Sequence, residues 1–223
     1  MKTKTLTANT EYSARRRRLN SSIIQLEPPP RFIDMSAESL FTSNAFALDV
    51  PGCDLASLKR DFGMLNSDQK GAVLKSVSAE DFSLIQGLPG TGKSATIAFI
   101  TRLLVSRGKR VLLTSYTHSA VDNLLLKLMD SGVVHKSSTP FHQNNAPNPI
   151  VRIGRESACH LKVRSLLAEN IACEAERKDS RDSSSLIEKP SVDYLHKVVS
   201  AAKVVGVSAI SLFVIDWMFC FGP

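Results

Sequence analysis

The sequence predicts an α/β fold: a parallel sheet with helices on both faces, incomplete, and preceded by a largely irregular arm. Two observations carry the prediction. Between residues 82 and 132 the chain twice passes from a short apolar strand through a loop into an amphipathic helix, the βαβ pattern of a parallel sheet covered on its faces. The first of those loops, Gly87-Leu88-Pro89-Gly90-Thr91-Gly92-Lys93-Ser94, also meets the pattern G-x-x-x-x-G-K-[ST] at every fixed position. Length and composition agree, since 223 residues that are 43% hydrophobic hold one good-sized core.

The chain opens on an arm, residues 1–62. Its net charge of +7 is uneven: six basic residues (Lys2, Lys4, Arg15, Arg16, Arg17, Arg18) against Glu11 lie in the first 20 positions. Most of the excess therefore belongs to a polar tail and not to a fold surface. Such a tail is a solvated arm, with a nuclear-localisation patch, a nucleic-acid contact or an organelle transit peptide as its functional alternatives. No apolar core of a secretory signal is present. Pro28-Pro29-Pro30 marks a boundary, and residues 31–63 show no defensible period, so they are expected to be an irregular approach to the domain. The four cysteines (Cys53, Cys159, Cys173, Cys220) lack C-x-x-C spacing, which points to reduced thiols and away from zinc or a disulfide framework.

From Leu65 the pattern sharpens. LNSDQKGAVLKSV predicts a helix capped at Asn66 or Ser67, with Ala72, Val73 and Val77 inward. Phe82–Gln86 (FSLIQ) follows as a strand, then the glycine-rich octet. Its glycines let backbone N–H groups converge on a triphosphate without Cβ atoms in the way. Lys93 would reach the β- and γ-phosphates, and the Ser94 hydroxyl would ligate Mg²⁺. A helix of about Ala95–Ser106 comes next, with Ile97, Ile100 and Leu104 on one face, Gly108 as its stop and its dipole aimed at the same phosphates. Val111–Thr114 is a second strand. The helix AVDNLLLKLMDSG then buries Val121, Leu124, Leu125 and Leu128.

Beyond a polar loop at 131–149, IVRIG (150–154) is a further strand. ESACHLKVRSLLAENIACEAERKD predicts one helical stretch, with Arg152, Arg155, Lys162 and Arg164 about its start. Those four are either phosphate-facing or a solvated basic face. His135 and His142 have no carboxylate or cysteine company and are not expected to bind metal. A helix over 192–203 leads into a buried strand, VVGVS (204–208).

LNSDQKGAV, LIQGLPGTGKS and LLTSYTHSAVDNLLLKL, in this order, resemble three successive motifs of superfamily 1 helicases, and most closely the eukaryotic DNA replication ATP-dependent helicase/nucleases. The resemblance covers about 63–208 and implies the N-terminal RecA-like domain of a P-loop NTPase. By position it implies Gln69 as the adenine reader and Gly87, Leu88, Pro89, Gly90, Thr91, Gly92, Lys93 and Ser94 as the cradle for ATP·Mg²⁺, with Lys93 the catalytic contact. Ser115, Tyr116, Thr117 and His118 would line a single-stranded DNA track, with Asp122 and Asn123 shaping its edge. On spacing alone Gln69 and His118 are solvated helix residues; the company of the other motifs reverses that. The implied location is the nucleus, with the mitochondrion as alternative.

Past Val207 the sequence departs from that family, which continues to an Asp-Glu pair. No Asp-Glu pair occurs anywhere in this sequence. Trp217 follows Asp216 where the family has Glu, so Asp216 is a poor candidate Mg²⁺ ligand and residues 209–223 look like an apolar tail foreign to the family. A membrane span over 204–223 is disfavoured by Asp216 and the strand-like pattern. With neither the second RecA-like domain, whose arginine stabilises the transition state, nor the nuclease and iron–sulfur cysteines, this truncated form is expected to bind ATP and DNA without unwinding. The alternatives are a non-catalytic nucleotide- or DNA-binding module and a non-productive fragment.

Overall fold

The computed structural model describes residues 52–80, 82–133, 148–179 and 189–209, together with 36, 39–41, 50 and 211. The basic arm, the proline run, His135, His142 and the tail with Asp216 and Trp217 lie outside the described residues.

Among the described residues three strands form one parallel sheet: β1 (Val111–Ser115), β2 (Ile150–Ile153) and β3 (Val204–Ser208), in the order β1-β3-β2. Val111 and Ile150 both stand opposite Val204. All five residues of β3 are buried, which is why VVGVS lacks the polar alternation of a half-exposed strand. One face of the sheet is covered by helices α3 (Lys93–Ser106) and α4 (His118–Asp130). There Ala98, Val105, Val121, Leu125 and Leu128 close on Leu113, Ile150 and Val204. The other face is covered by α5 (Ala168–Asp179) and α6 (Val192–Ala201), whose Ile171, Ala172, Val198 and Val199 meet Val151 and Val205. The fold class is as predicted: α/β, parallel, with helices on both faces.

Gly206 sets how closely α4 approaches. A Cβ there would lie 2.9 and 3.1 Å from the two Leu125 methyls and 3.1 Å from Val121 Cγ1. Both α3 and α4 end in the paired hydrogen bonds of a left-handed glycine stop. Gly108 N–H donates to Val105 O (2.9 Å) and Lys109 N–H to Leu104 O (3.0 Å). Gly132 N–H donates to Met129 O (2.9 Å) and Val133 N–H to Leu128 O (3.2 Å).

Several expectations are corrected. Phe82–Gln86 is not a strand of the described sheet, and Phe82, Leu84 and Ile85 are exposed. An apolar run becomes a strand only when a neighbour takes up its backbone groups, and no described strand lies beside it. The stretch 31–63, expected to be irregular, holds all but the last residue of α1 (Leu55–Met64), capped by Asp54, which accepts from Ser57 N–H at 2.8 Å. Helix α1 and the following α2 (Ser67–Ser78) pack Leu58, Phe62 and Val73 on Phe99 and Leu103 of α3. The buried Arg102 of α3 completes that contact, donating to Asp61 Oδ2 (2.6 Å), Ser57 Oγ (2.9 Å) and Gly52 O (2.8 Å).

Because α3 is enclosed by α1, α2, α4 and β1, its buried apolar residues are Ala98, Phe99, Leu103 and Val105, while of the expected stripe Ile100 and Leu104 are half-buried and Ile97 is exposed. The single helix expected over 156–179 is instead two 3-10 turns, Glu156–Ala158 and Leu161–Leu166, followed by α5. His160 N–H donates to Asp122 Oδ2 (2.8 Å) and not to a helical carbonyl, which breaks the run. Residues 204–208 form the central strand, and among the described residues no helix is long and apolar enough to cross a membrane. Cys53, Cys159 and Cys173 are free thiols.

Candidate nucleotide and nucleic-acid sites

Helix α2 opens with a complete capping box. Asn66 Oδ1 accepts from Gln69 N–H (2.8 Å), and Gln69 Oε1 accepts from Asn66 N–H (3.1 Å). The same Gln69 side chain reaches out of its helix, donating from Nε2 to Thr91 O (3.2 Å) in the glycine-rich loop. Gln69 thereby joins the start of α2 to the loop that precedes α3. Its amide keeps one further N–H and one further lone pair for an outside partner.

The loop itself is built by its glycines. Gly90 and Gly92 both take φ of +80°, the left-handed region that glycine enters at no steric cost. A Cβ on Gly92 would fall 2.5 Å from Gln69 Nε2, and one on Gly87 would fall 2.7 Å from Lys93 Cγ. Lys93, first residue of α3, folds back over the loop and donates from Nζ to Gly87 O (2.8 Å) and Leu88 O (2.6 Å). Thr91 Oγ1 also donates to Leu88 O (2.8 Å). Ser94 is exposed in the first turn of the helix.

These residues enclose a cleft of about 450 Å³ lined by Asn66, Gln69, Gly87, Leu88, Thr91 and Lys93, with Ile97 and Ile100 as an apolar wall. That wall accounts for the partly covered stripe of α3. Of the predicted cradle, Gln69, Gly87, Leu88, Thr91 and Lys93 converge here. Pro89 and Gly90 lie exposed on the loop, and Gly92 turns the chain into α3. The donor set suits a nucleoside triphosphate: an ammonium, a helix N-terminus and a hydroxyl gather at the loop, the Gln69 amide lies against Thr91, and Ile97 and Ile100 supply aliphatic carbon. Among the described residues no three His, Cys, Asp or Glu side chains gather as a metal site.

Ser115 ends β1, and Tyr116, Thr117 and His118 follow at the same sheet end; none of the four lines the cleft. Thr117 caps α4, its Oγ1 accepting from Ala120 N–H (3.3 Å). Tyr116 and Asn123 are exposed and His118 half-buried. Asp122 faces inward: it is buried, and its carboxylate accepts from Arg152 Nε (2.8 Å) and His160 N–H (2.8 Å). Arg152, grouped in the sequence with Arg155, Lys162 and Arg164 as a phosphate-facing or solvated cation, is fully buried and does neither. Its Nη1 donates to Ile153 O and its Nη2 lies 3.2 Å from His118 Nδ1. Arg155 and Lys162 are exposed, and Arg164 pairs with Glu156 at 3.3 Å. The role of Arg152 was missed in the sequence, although an arginine inside the apolar strand IVRIG was the available sign of an internal partner.

A family model described as an AAA domain matches residues 64–205. The chain is 61% identical over 91 residues to the DNA replication ATP-dependent helicase/nuclease DNA2 of Saccharomyces cerevisiae, a match covering 38% of this chain. It is 44% identical over 100 residues to the DNA replication ATP-dependent helicase/nuclease JHS1 of Arabidopsis thaliana, covering 45% of this chain. To DNA2 of Homo sapiens it is 56% identical over 64 residues, covering 29%. In each case the matched segment is 6% of the relative's length. The parallel sheet covered on both faces is in keeping with an incomplete RecA-like α/β fold. The family model spans well over half of the sequence, and the chain belongs to the AAA domain family.

Proposed function

We propose that this chain is the ATP-binding portion of a DNA replication helicase/nuclease, whose parent activity couples ATP hydrolysis to movement along single-stranded DNA. The observation that carries the proposal is the cleft where Gln69, the 87–92 loop and Lys93 meet. On binding, Lys93 Nζ would exchange the Gly87 and Leu88 carbonyls for phosphate oxygens, so nucleotide and loop compete for one ammonium. Ser94 would hold Mg²⁺, which supplies charge neutralisation at the phosphates. Gln69 would offer its remaining donor and acceptor to the adenine edge while staying tied to Thr91. Tyr116, Thr117 and His118 would meet a single DNA strand, through stacking and through hydroxyl and imidazole contacts to phosphate. The work implied is nuclear.

With no Asp-Glu pair in the sequence, nothing described orients an attacking water, and the 223-residue chain is expected to hold nucleotide far better than it turns it over. A non-catalytic nucleotide- or DNA-binding module is the second reading, favoured by that same lack. Calorimetry of ATP·Mg²⁺ binding, with Lys93→Ala as control and turnover measured on single-stranded DNA, tests the nucleotide site that both readings share. Binding lost in the variant without DNA-stimulated turnover supports the proposal. No binding by folded protein removes the nucleotide site, and DNA-stimulated turnover shows that the chain carries its own hydrolytic residue.

A further inference from the structure

A fully buried arginine sits behind a half-exposed histidine at the end of β1. Arg152 spends Nε on Asp122, Nη1 on the Ile153 carbonyl and points Nη2 at His118 Nδ1, 3.2 Å away. Asp122 in turn is held by the backbone N–H of His160. The seat is shaped for this guanidinium: a Cβ on Gly154 would come within 2.7 Å of Arg152 Nη1. A guanidinium has only donors and does not lose its proton, so the ring nitrogen facing it must accept. His118 Nδ1 is then bare, and Nε2 carries the ring's proton.

We propose that Arg152 is a positioning residue that fixes His118 in the Nε2–H tautomer and makes it an obligatory hydrogen-bond donor toward an anionic ligand at this sheet end. Resting on the function proposed above, the ligand is the phosphodiester backbone of a single DNA strand. Phosphate oxygens are acceptors only, so a ring free to exchange tautomers would present a bare nitrogen to them part of the time. The pair with Asp122 supplies the rigidity, because a buried ion pair held also by a backbone amide has no alternative partner to swing to. Arg152 never meets the DNA itself.

Two variants separate positioning from folding. Arg152→Lys keeps a cation for Asp122 but loses the second arm toward His118, and His118→Ala removes the donor. Long-range ¹⁵N–¹H spectra of the free protein at neutral pH, with the His118 signal assigned by its loss in His118→Ala, report the tautomer without any DNA. The expected result is a protonated Nε2 in the native protein and a mixture in Arg152→Lys. Binding of a labelled oligothymidylate should weaken roughly tenfold or more in His118→Ala, the value of one hydrogen bond to a charged group, and about twofold in Arg152→Lys, where only part of the rings carry the proton on Nε2, while ATP affinity is unchanged. A native His118 protonated at Nδ1, or an unchanged tautomer in Arg152→Lys, overturns the inference. The expected tautomers with DNA binding untouched by either variant would instead overturn the nucleic-acid reading of this sheet end.

Discussion

Asp122 and Arg152 occupy a place where neither has water to turn to. Removing one member of such a pair leaves the other as an unpaired buried charge, so Asp122→Ala should lower the stability to urea by about 3–5 kcal/mol. Asp122→Asn, which still accepts from His160 N–H, should cost less. Cys53 makes a different kind of prediction. Burial pushes its thiol from 9.0 up to about 11. The folded state therefore holds that proton more tightly than the unfolded chain. The resulting stability is complete below pH 9 and is lost as pH rises toward 11, amounting to about 2–3 kcal/mol. Urea midpoints between pH 8 and pH 11 should fall more steeply for the native protein than for Cys53→Ala. At this scale the sequence was legible where a residue's role is local. Gly92 as the turn into α3 was readable from spacing, and of the two caps the spacing offered, Asn66 and Ser67, the structure uses Asn66; the partnership of Arg152 was not readable, because Asp122 and His118 come from a helix about 30 residues earlier, brought beside it only by the sheet.

Among the elements, α2 has an N-terminus that does two jobs. Its capping box orients Gln69, and Gln69 then holds the loop through Thr91. Asn66→Ala should cost about 1 kcal/mol of stability. It should also weaken ATP binding, through a Gln69 amide no longer fixed, by a few-fold in calorimetry. The sheet and α4 meet through Gly206, where Gly206→Ala should cost about 1–3 kcal/mol by pushing Leu125 and Val121 off the strand, read as a lowered urea midpoint with an unchanged slope. Strands and helices that bury an apolar face were predictable: Val121, Leu125 and Leu128 on α4, and the unbroken apolar β3. Helix α1 escaped because its inward residues, Leu58 and Phe62, are only two in ten, with polar and small residues around them. Phe82–Gln86 misled in the other direction, since an apolar run states a wish for a neighbour without naming one. The break of 156–179 into two 3-10 turns and α5 depends on Asp122 and could not be seen from that stretch.

For the molecule as a whole, charge and topology lie at opposite ends of the chain. Deleting residues 1–20 removes five of the seven net positive charges and none of the cleft. ATP affinity should be unchanged in that deletion. Single-stranded DNA binding should become less salt-dependent, the slope of log K against log salt falling by about 0.7 for each Lys or Arg that had met a phosphate. The order β1-β3-β2 has its own consequence for how this protein comes to exist. Among the described strands β1 and β2 do not pair with each other; each pairs with β3, which is synthesised after both. During translation, then, the first two strands wait as solitary edges while Val204 and Val205, which close the core on either face, are still unmade. The sheet forms in one late event. Chains halted before residue 204 and after residue 208 should differ abruptly in protease resistance, with no gradual gain in between.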